Sequence, residues 1–74
     1  MAETKEDRFI RIAEARTNKI INMIRLLGNC SNKRNYDYTE EEVKKIFTAI
    51  ENETKLAKNK FLESDASEKK FRLR

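Results

Sequence analysis

The apolar residues of the N-terminal half recur every three or four positions, which is the spacing of one face of an α-helix. Thr4 is suited to cap the start of this helix, and Asp7 places a negative charge near the exposed amides of the first turn. Gly28 is suited to be a left-handed C-cap. The pattern predicts a helix from about residue 5 to Leu27 whose seam consists of Phe9, Ala13, Arg16, Ile20, Met23 and Leu27.

The second helix has the strongest local start signal in the chain. Thr39, followed three residues later by Glu42, forms a capping box, and Tyr38 can pack on Val43 as a hydrophobic staple. These signals predict a start near Glu40. The seam of this helix consists of Val43, Phe47, Ile50, Thr54, Ala57 and Phe61.

The end of the second helix is poorly marked in the sequence. We expect it near Leu62 or Glu63, because the side chains that follow compete for backbone hydrogen bonds, namely Ser64, Asp65 and Ser67. The chain is therefore interpreted as a helical domain over 1–63, followed by a basic tail or a short extra helical turn over 64–74.

The two seams are complementary if the chain folds back as an antiparallel hairpin. Residues whose numbers sum to 70 then face each other, as Leu27–Val43, Met23–Phe47, Ile20–Ile50, Arg16–Thr54, Ala13–Ala57 and Phe9–Phe61. In the one polar layer, Arg16 could fix the register with Thr54 or the adjacent Glu53. Alternatively, Arg16 lays its methylenes along the seam and reaches water.

The first helix is apolar over about half of its circumference, more than one partner helix covers. Its seam is flanked by Ile10, Ile12, Ile21 and Ile24, and the second helix adds Ile46, Leu56 and Leu62. A second copy of the chain is the simplest cover for this surface. The sequence therefore predicts an all-α fold, an antiparallel two-helix hairpin (about 5–27 and 40–62) that forms a homodimeric four-helix bundle.

The composition argues against an enzyme. The 74 residues are 41% charged and 38% hydrophobic, with no His or Pro, one Gly and one Cys. This leaves no His base, no Cys/His nucleophile pair, no zinc cluster and no glycine-rich phosphate loop. We expect no catalytic residues, no cofactor and no metal site, and Cys30 has no partner for an intrachain disulfide.

No apolar stretch approaches the ~20 residues that span a bilayer, and the N-terminal residues are polar and acidic. A soluble cytoplasmic protein with no membrane association is expected.

One side of the first helix carries residue types that often make recognition contacts. Its candidates for contact with a partner or a nucleic acid are Arg11, Asn18, Asn22 and Arg25. The alternative is an ordinary solvated helix face, because Glu6 and Glu14 dilute the positive charge.

The connection between the helices, residues 28–38, is longer than a helical hairpin needs. It adds three candidate contacts, Lys33, Arg34 and Tyr36. Basic and aromatic side chains interleaved with amides suit a single-stranded nucleic acid or an acidic protein surface. Alternatively, Tyr36 and Tyr38 cap the open end of the bundle while the Asn residues satisfy the backbone of the turn.

The formal net charge of +4 is spread along the chain and is densest near the C-terminus, at Lys69, Lys70, Arg72 and Arg74. These four residues could form a short anion-binding tail. The alternative is a solvated terminus.

Three segments carry a family resemblance: RTNKIINMIRLLGNCSN from Arg16 to Asn32, then YDYTEEEVKKIF and AKNKF. They resemble small helical proteins carried on integrative and conjugative elements and plasmids of Firmicutes, over residues 8–61. The resemblance implies a bacterial cytosolic setting and an accessory or regulatory role on mobile DNA. It implies no site residues.

Two functional hypotheses follow. The first is a non-enzymatic interaction or regulatory module that presents the first helix and the loop to a partner protein. The second is a small nucleic-acid-binding accessory protein that uses the basic residues of the first helix, the loop and the tail. Salt-dependent retention on DNA or RNA distinguishes the two, because phosphate contacts release counterions.

Overall fold

The computed structural model describes residues 2–70, with side chains described through Ser64. It contains helix α1 (Lys5–Gly28), a short 3-10 helix (Asn29–Ser31) and helix α2 (Glu40–Lys70). Within residues 2–70 there is no β-strand, so the all-α prediction is confirmed. The chain divides between Asp37 and Tyr38 into two compact units, one holding α1 and the other α2.

The start of α1 is the predicted one. Thr4 has extended backbone angles (φ −76°, ψ 167°), and its hydroxyl accepts a hydrogen bond from the Asp7 amide at 3.0 Å. Glu6 and Asp7 place negative charge in the first turn, near the positive end of the helix dipole. Local chemistry alone therefore fixes this boundary.

The end of α1 corrects one expectation, because Gly28 is not a left-handed cap. Its backbone angles are helical (φ −59°, ψ −31°), and the cap is Asn29, also right-handed. The Asn29 amide lies within bonding reach of the carbonyls of Arg25, Leu26 and Leu27. Tightening into a 3-10 turn thus satisfies the last carbonyls without a positive φ.

The capping box at the start of α2 is confirmed. The Glu42 amide donates to the Thr39 hydroxyl at 3.1 Å, and the Thr39 amide donates to a Glu42 carboxylate oxygen at 2.8 Å. Tyr38 and Val43 are both half-buried and line one surface depression, and the staple between them stays a prediction.

The expected end of α2 at Leu62 or Glu63 is wrong, because the helix continues to Lys70. Residues 64–70 contain neither Gly nor Pro. Ser and Asp each disfavour a helix by only about 0.5 kcal/mol relative to Ala, so three such residues do not end a helix that is already propagating. The separate tail or extra turn expected after residue 63 is, as far as Lys70, a continuation of α2.

The large apolar side chains remain open to solvent. Phe9, Ile20 and Met23 are 57%, 59% and 61% exposed, and no side chain among residues 2–64 is buried. The half-buried side chains are Ile12, Ala13, Leu27, Tyr38, Val43 and Ile50. The helices thus present apolar surface that is available for association.

Candidate functional site

The polar face of α1 consists of Arg11, Asn18, Asn22 and Arg25, spaced seven, four and three residues apart. These spacings place all four on one side of a helix, over a length of about 21 Å. All four side chains are exposed. The structure therefore brings these predicted residues into a single line.

One member of this face, Arg11, is held by Glu3. The Arg11 Nε donates to Glu3 Oε2 at 2.7 Å, and Arg11 Nη2 donates to Glu3 Oε1 at 3.1 Å. The Nε of Arg8 lies 3.9 Å from the same Glu3 Oε1. The Arg11 side chain reaches back past the first turn, because side chains on a helix lean toward its N-terminus.

The hydrogen bonds that Arg11 donates to Glu3 raise the pKa of the Arg11 guanidinium, and desolvation opposes this effect. The consequence for the polar face is electrostatic. Arg11 stays cationic, but a carboxylate now compensates its charge, which leaves the positive potential of the face weaker at the N-terminal end than at Arg25.

Sequence reasoning did not identify Glu3 as a residue that contacts the polar face of α1. Pairs on a helix surface are sought three or four positions apart, whereas Glu3 precedes the cap and lies eight positions before Arg11. The signal that could have found it is an acidic residue just ahead of an N-cap, followed by two arginines on one helix face.

The loop contains a tight turn organised by Asn32. Its side-chain oxygen accepts from the Arg34 amide at 3.0 Å, and its backbone carbonyl accepts from Asn35 at 3.1 Å and from Tyr36 at 3.0 Å. Lys33, Arg34 and Tyr36 therefore occupy one turn, and Tyr36 is 51% exposed. This arrangement matches the expected use of Asn side chains to satisfy turn backbone.

The seam residues of each helix lie in line on that helix. In the α1 seam, Phe9, Ile20 and Met23 are exposed and Leu27 is half-buried, and the flanking Ile24 is also exposed. In the α2 seam, Phe47 and Phe61 are exposed, while Val43 and Ile50 are half-buried. Arg16 is exposed, and the Thr54 hydroxyl donates to the Ile50 carbonyl at 2.9 Å. This bond uses the hydroxyl proton and leaves the oxygen of Thr54 able to accept.

The basic C-terminal candidates fall at the margin of the described chain. Lys69 and Lys70 belong to α2 by their backbone. Arg72 and Arg74 lie outside the described residues.

Two other kinds of site are absent from the described part of the chain. The described residues contain no cluster of His, Cys, Asp or Glu able to hold a metal ion. No helix in the part of the chain that the structure describes is long and apolar enough to cross a membrane.

Cys30 is a free, exposed thiol, with its Sγ 3.9 Å from the Leu26 carbonyl oxygen.

The chain matches no protein-family model, and no curated protein or solved structure is significantly similar to it. The candidate functional surfaces are therefore three features of the molecule itself: its exposed apolar side chains, the polar face of α1 and the turn at Asn32.

Proposed function

We propose that this protein is a non-enzymatic interaction or regulatory module of the bacterial cytoplasm, with an accessory role on mobile DNA. In this proposal it works as a homodimeric helical bundle. The polar face of α1 and the Asn32 turn are its surfaces for a partner protein.

The observation that carries the proposal is the exposure of large apolar side chains on α1. Phe9, Ile20 and Met23 are each more than half exposed, although they lie on one side of the helix. Soluble proteins rarely leave so continuous an apolar surface in water, and such surfaces mark association sites. A second copy carries the same surface, so a two-fold axis covers both at once.

Within each chain, the proposed arrangement is an antiparallel hairpin in which paired residue numbers sum to 70. Apolar residues then meet apolar residues in five of the six layers. In the remaining layer, the Thr54 oxygen can accept a hydrogen bond from Arg16, because its proton is already used on Ile50. A guanidinium has donors only, so the Arg16 donor matches the Thr54 acceptor in this layer. A register shifted by one layer would place Arg16 against an apolar residue, so this pair favours the proposed register.

A partner protein suits the polar face because Arg and Asn together offer both charge and amide hydrogen bonds. Arg is enriched among the residues that dominate binding energy at protein interfaces. The face lies on the opposite side of α1 from Ile20, so bundle formation leaves it accessible.

The test is affinity capture from a bacterial host, read by mass spectrometry for proteins and by sequencing for nucleic acid. We expect a bound protein that is lost with the double variant Asn18→Ala/Arg25→Ala and kept by a chain truncated after Ser67. Capture of nucleic acid alone, or of the same protein by the double variant, contradicts the proposal.

The Asn32 turn favours a second candidate, nucleic-acid binding. It places Lys33 and Arg34 next to the half-exposed Tyr36, a combination that suits phosphates and a stacked base. Here the probes are a single-stranded RNA and a single-stranded DNA oligonucleotide.

For this second candidate, two changes are decisive: Lys33→Ala with Arg34→Ala, and truncation after Ser67. Each is expected to weaken oligonucleotide binding and to flatten its salt dependence, since each phosphate contact contributes to the salt slope. Dimer mass and melting temperature are expected to stay unchanged. Unaltered binding by both variants rules this candidate out.

A further inference from the structure

We propose that Arg8 and Arg11 form a clamp for a carboxylate of an acidic partner segment, and that Glu3 occupies this clamp when no partner is bound. The inference rests on the proposed function, because it specifies the chemistry of the partner that the polar face of α1 receives. In addition, it gives Glu3 the role of an intramolecular competitor for that surface.

The geometry of the clamp is that of carboxylate recognition. Arg11 presents two N–H groups to the two oxygens of one carboxylate, at 2.7 and 3.1 Å, and Arg8 approaches from the side at 3.9 Å. A guanidinium fork matches a carboxylate in this two-bond arrangement, which gives direction as well as attraction. The Glu3 carboxylate thus occupies the position that a carboxylate of the partner would take.

Glu3 can leave the clamp without damage to α1. It precedes the helix, whereas the cap is Thr4, whose hydroxyl holds the Asp7 amide independently at 3.0 Å. Solvent-exposed ion pairs are weak, so a carboxylate from a partner competes on nearly equal terms once other contacts hold that partner in place.

Neighbouring charges favour a protein carboxylate over a nucleic-acid backbone. Asp7 and Glu14 border the polar face of α1 on the same side of the helix, where they repel a chain of successive phosphates. A protein segment needs to present only one carboxylate to Arg11. Its remaining contacts can be hydrogen bonds to Asn18 and Asn22.

The test uses a fluorescent peptide with a single glutamate among serines and glycines, titrated by anisotropy at low ionic strength. Glu3→Gln frees the clamp, and we expect it to tighten peptide binding about two- to fivefold. Glu6→Gln is the matched control: it removes the same charge from the first turn, but Glu6 lies about 140° around the helix from Arg11. It is expected to change peptide affinity by a smaller factor.

A double variant isolates the clamp from general charge. In an Arg11→Ala background, the gain from Glu3→Gln is expected to vanish, whereas a long-range charge effect would persist. Equal gains from Glu3→Gln and Glu6→Gln, or no peptide binding by wild type and Glu3→Gln alike, overturn the proposal. So does an equal gain for a single-stranded DNA oligonucleotide, which would indicate recognition of phosphate.

These outcomes are separate from those that test the proposed function. Dimer mass depends on the apolar side of α1, and protein capture is tested at Asn18 and Arg25. A clamp that fails its test leaves both of those results in place.

Discussion

Helices α1 and α2 begin alike but carry different surfaces. Both start at a threonine cap, and they extend over 24 and 31 residues. Large apolar side chains flank the seam on both helices, but they are denser on α1, with nine in 24 residues, than on α2, with seven in 31. We infer that the denser apolar surface of α1 makes a second contact. In the proposed bundle, α1 packs on α2 and on the second copy.

The polar sides of the helices differ as well. On α2, Lys, Glu and Asn are mixed along the polar side, as on an ordinary solvated helix. On α1, the polar face combines arginines and asparagines in one line. In the proposed bundle, α1 therefore contributes both the dimer contact and the recognition surface, and α2 is its packing partner.

The largest expected effect comes from Ile20→Asp, at the centre of the α1 seam. An unpaired carboxylate between apolar layers costs several kcal/mol, so we expect loss of both dimer and helical signal. Circular dichroism and light scattering measure the two. The matched control is Asn22→Asp, which introduces the same side chain on the polar face and is expected to change neither.

If Ile20→Asp and Asn22→Asp behave alike, the two sides of α1 are not distinct and the seam assignment is wrong.

The second prediction compares the flanks of the two helices. Ile24→Ser on α1 removes apolar contact from both halves of the proposed dimer, and we expect its dissociation constant to rise at least about tenfold. Leu56→Ser on α2 is expected to have a much smaller effect. Sedimentation velocity over a concentration series measures both, and a larger effect of Leu56→Ser would move the dimer contact to α2.

The starts of both helices could be predicted from the sequence. An N-cap needs only a side-chain hydroxyl on an extended residue and the backbone amide three residues later in the chain. Neighbouring residues therefore determine it. Thr4 with Asp7 and Thr39 with Glu42 form the expected hydrogen bonds.

The ends of the helices could not be predicted as well. At Gly28, a left-handed cap and a 3-10 turn both satisfy the last carbonyls, and the glycine permits either. Beyond Leu62, the end of α2 depends on the sum of many small preferences, in which no single residue decides.

The candidate site was only partly predictable. Helical spacing identified the line of the polar face on α1, but the Glu3 contact lies outside any regular spacing. Helical spacing predicted Arg11 as a contact residue. In the structure, Arg11 donates a hydrogen bond to Glu3, which precedes the helix. Such contacts depend on the path of the chain ahead of the cap.

The third prediction tests the start of α2. Thr39→Ala removes the acceptor for the Glu42 amide and is expected to lower the free energy of unfolding by about 1 kcal/mol, with no change in oligomeric state. Thermal unfolding measures the loss. Thr48→Ala, within the same helix, is the control and is expected to be neutral or slightly stabilising. Equal melting temperatures for wild type and Thr39→Ala would contradict the assigned cap.

The smallest expected effect is the change in stability on Gly28→Ala, at the end of α1. Its sign distinguishes a helical from a left-handed Gly28. Gly28 is helical, and an added Cβ meets nothing within 4 Å. Gly28→Ala is therefore expected to stabilise the protein by about 0.5–1 kcal/mol, since alanine loses less backbone entropy in a helix. A left-handed glycine would give destabilisation instead. Chemical denaturation resolves the sign.

The central claim is that the exposed apolar side of α1 is covered by a second copy of the chain. Sedimentation equilibrium of the wild-type protein at tens of micromolar tests this claim most directly, because the molar mass that it measures is independent of molecular shape. We predict a single species of about twice the 8.8 kDa chain mass. A helical protein that remains at 8.8 kDa throughout this range would contradict the account.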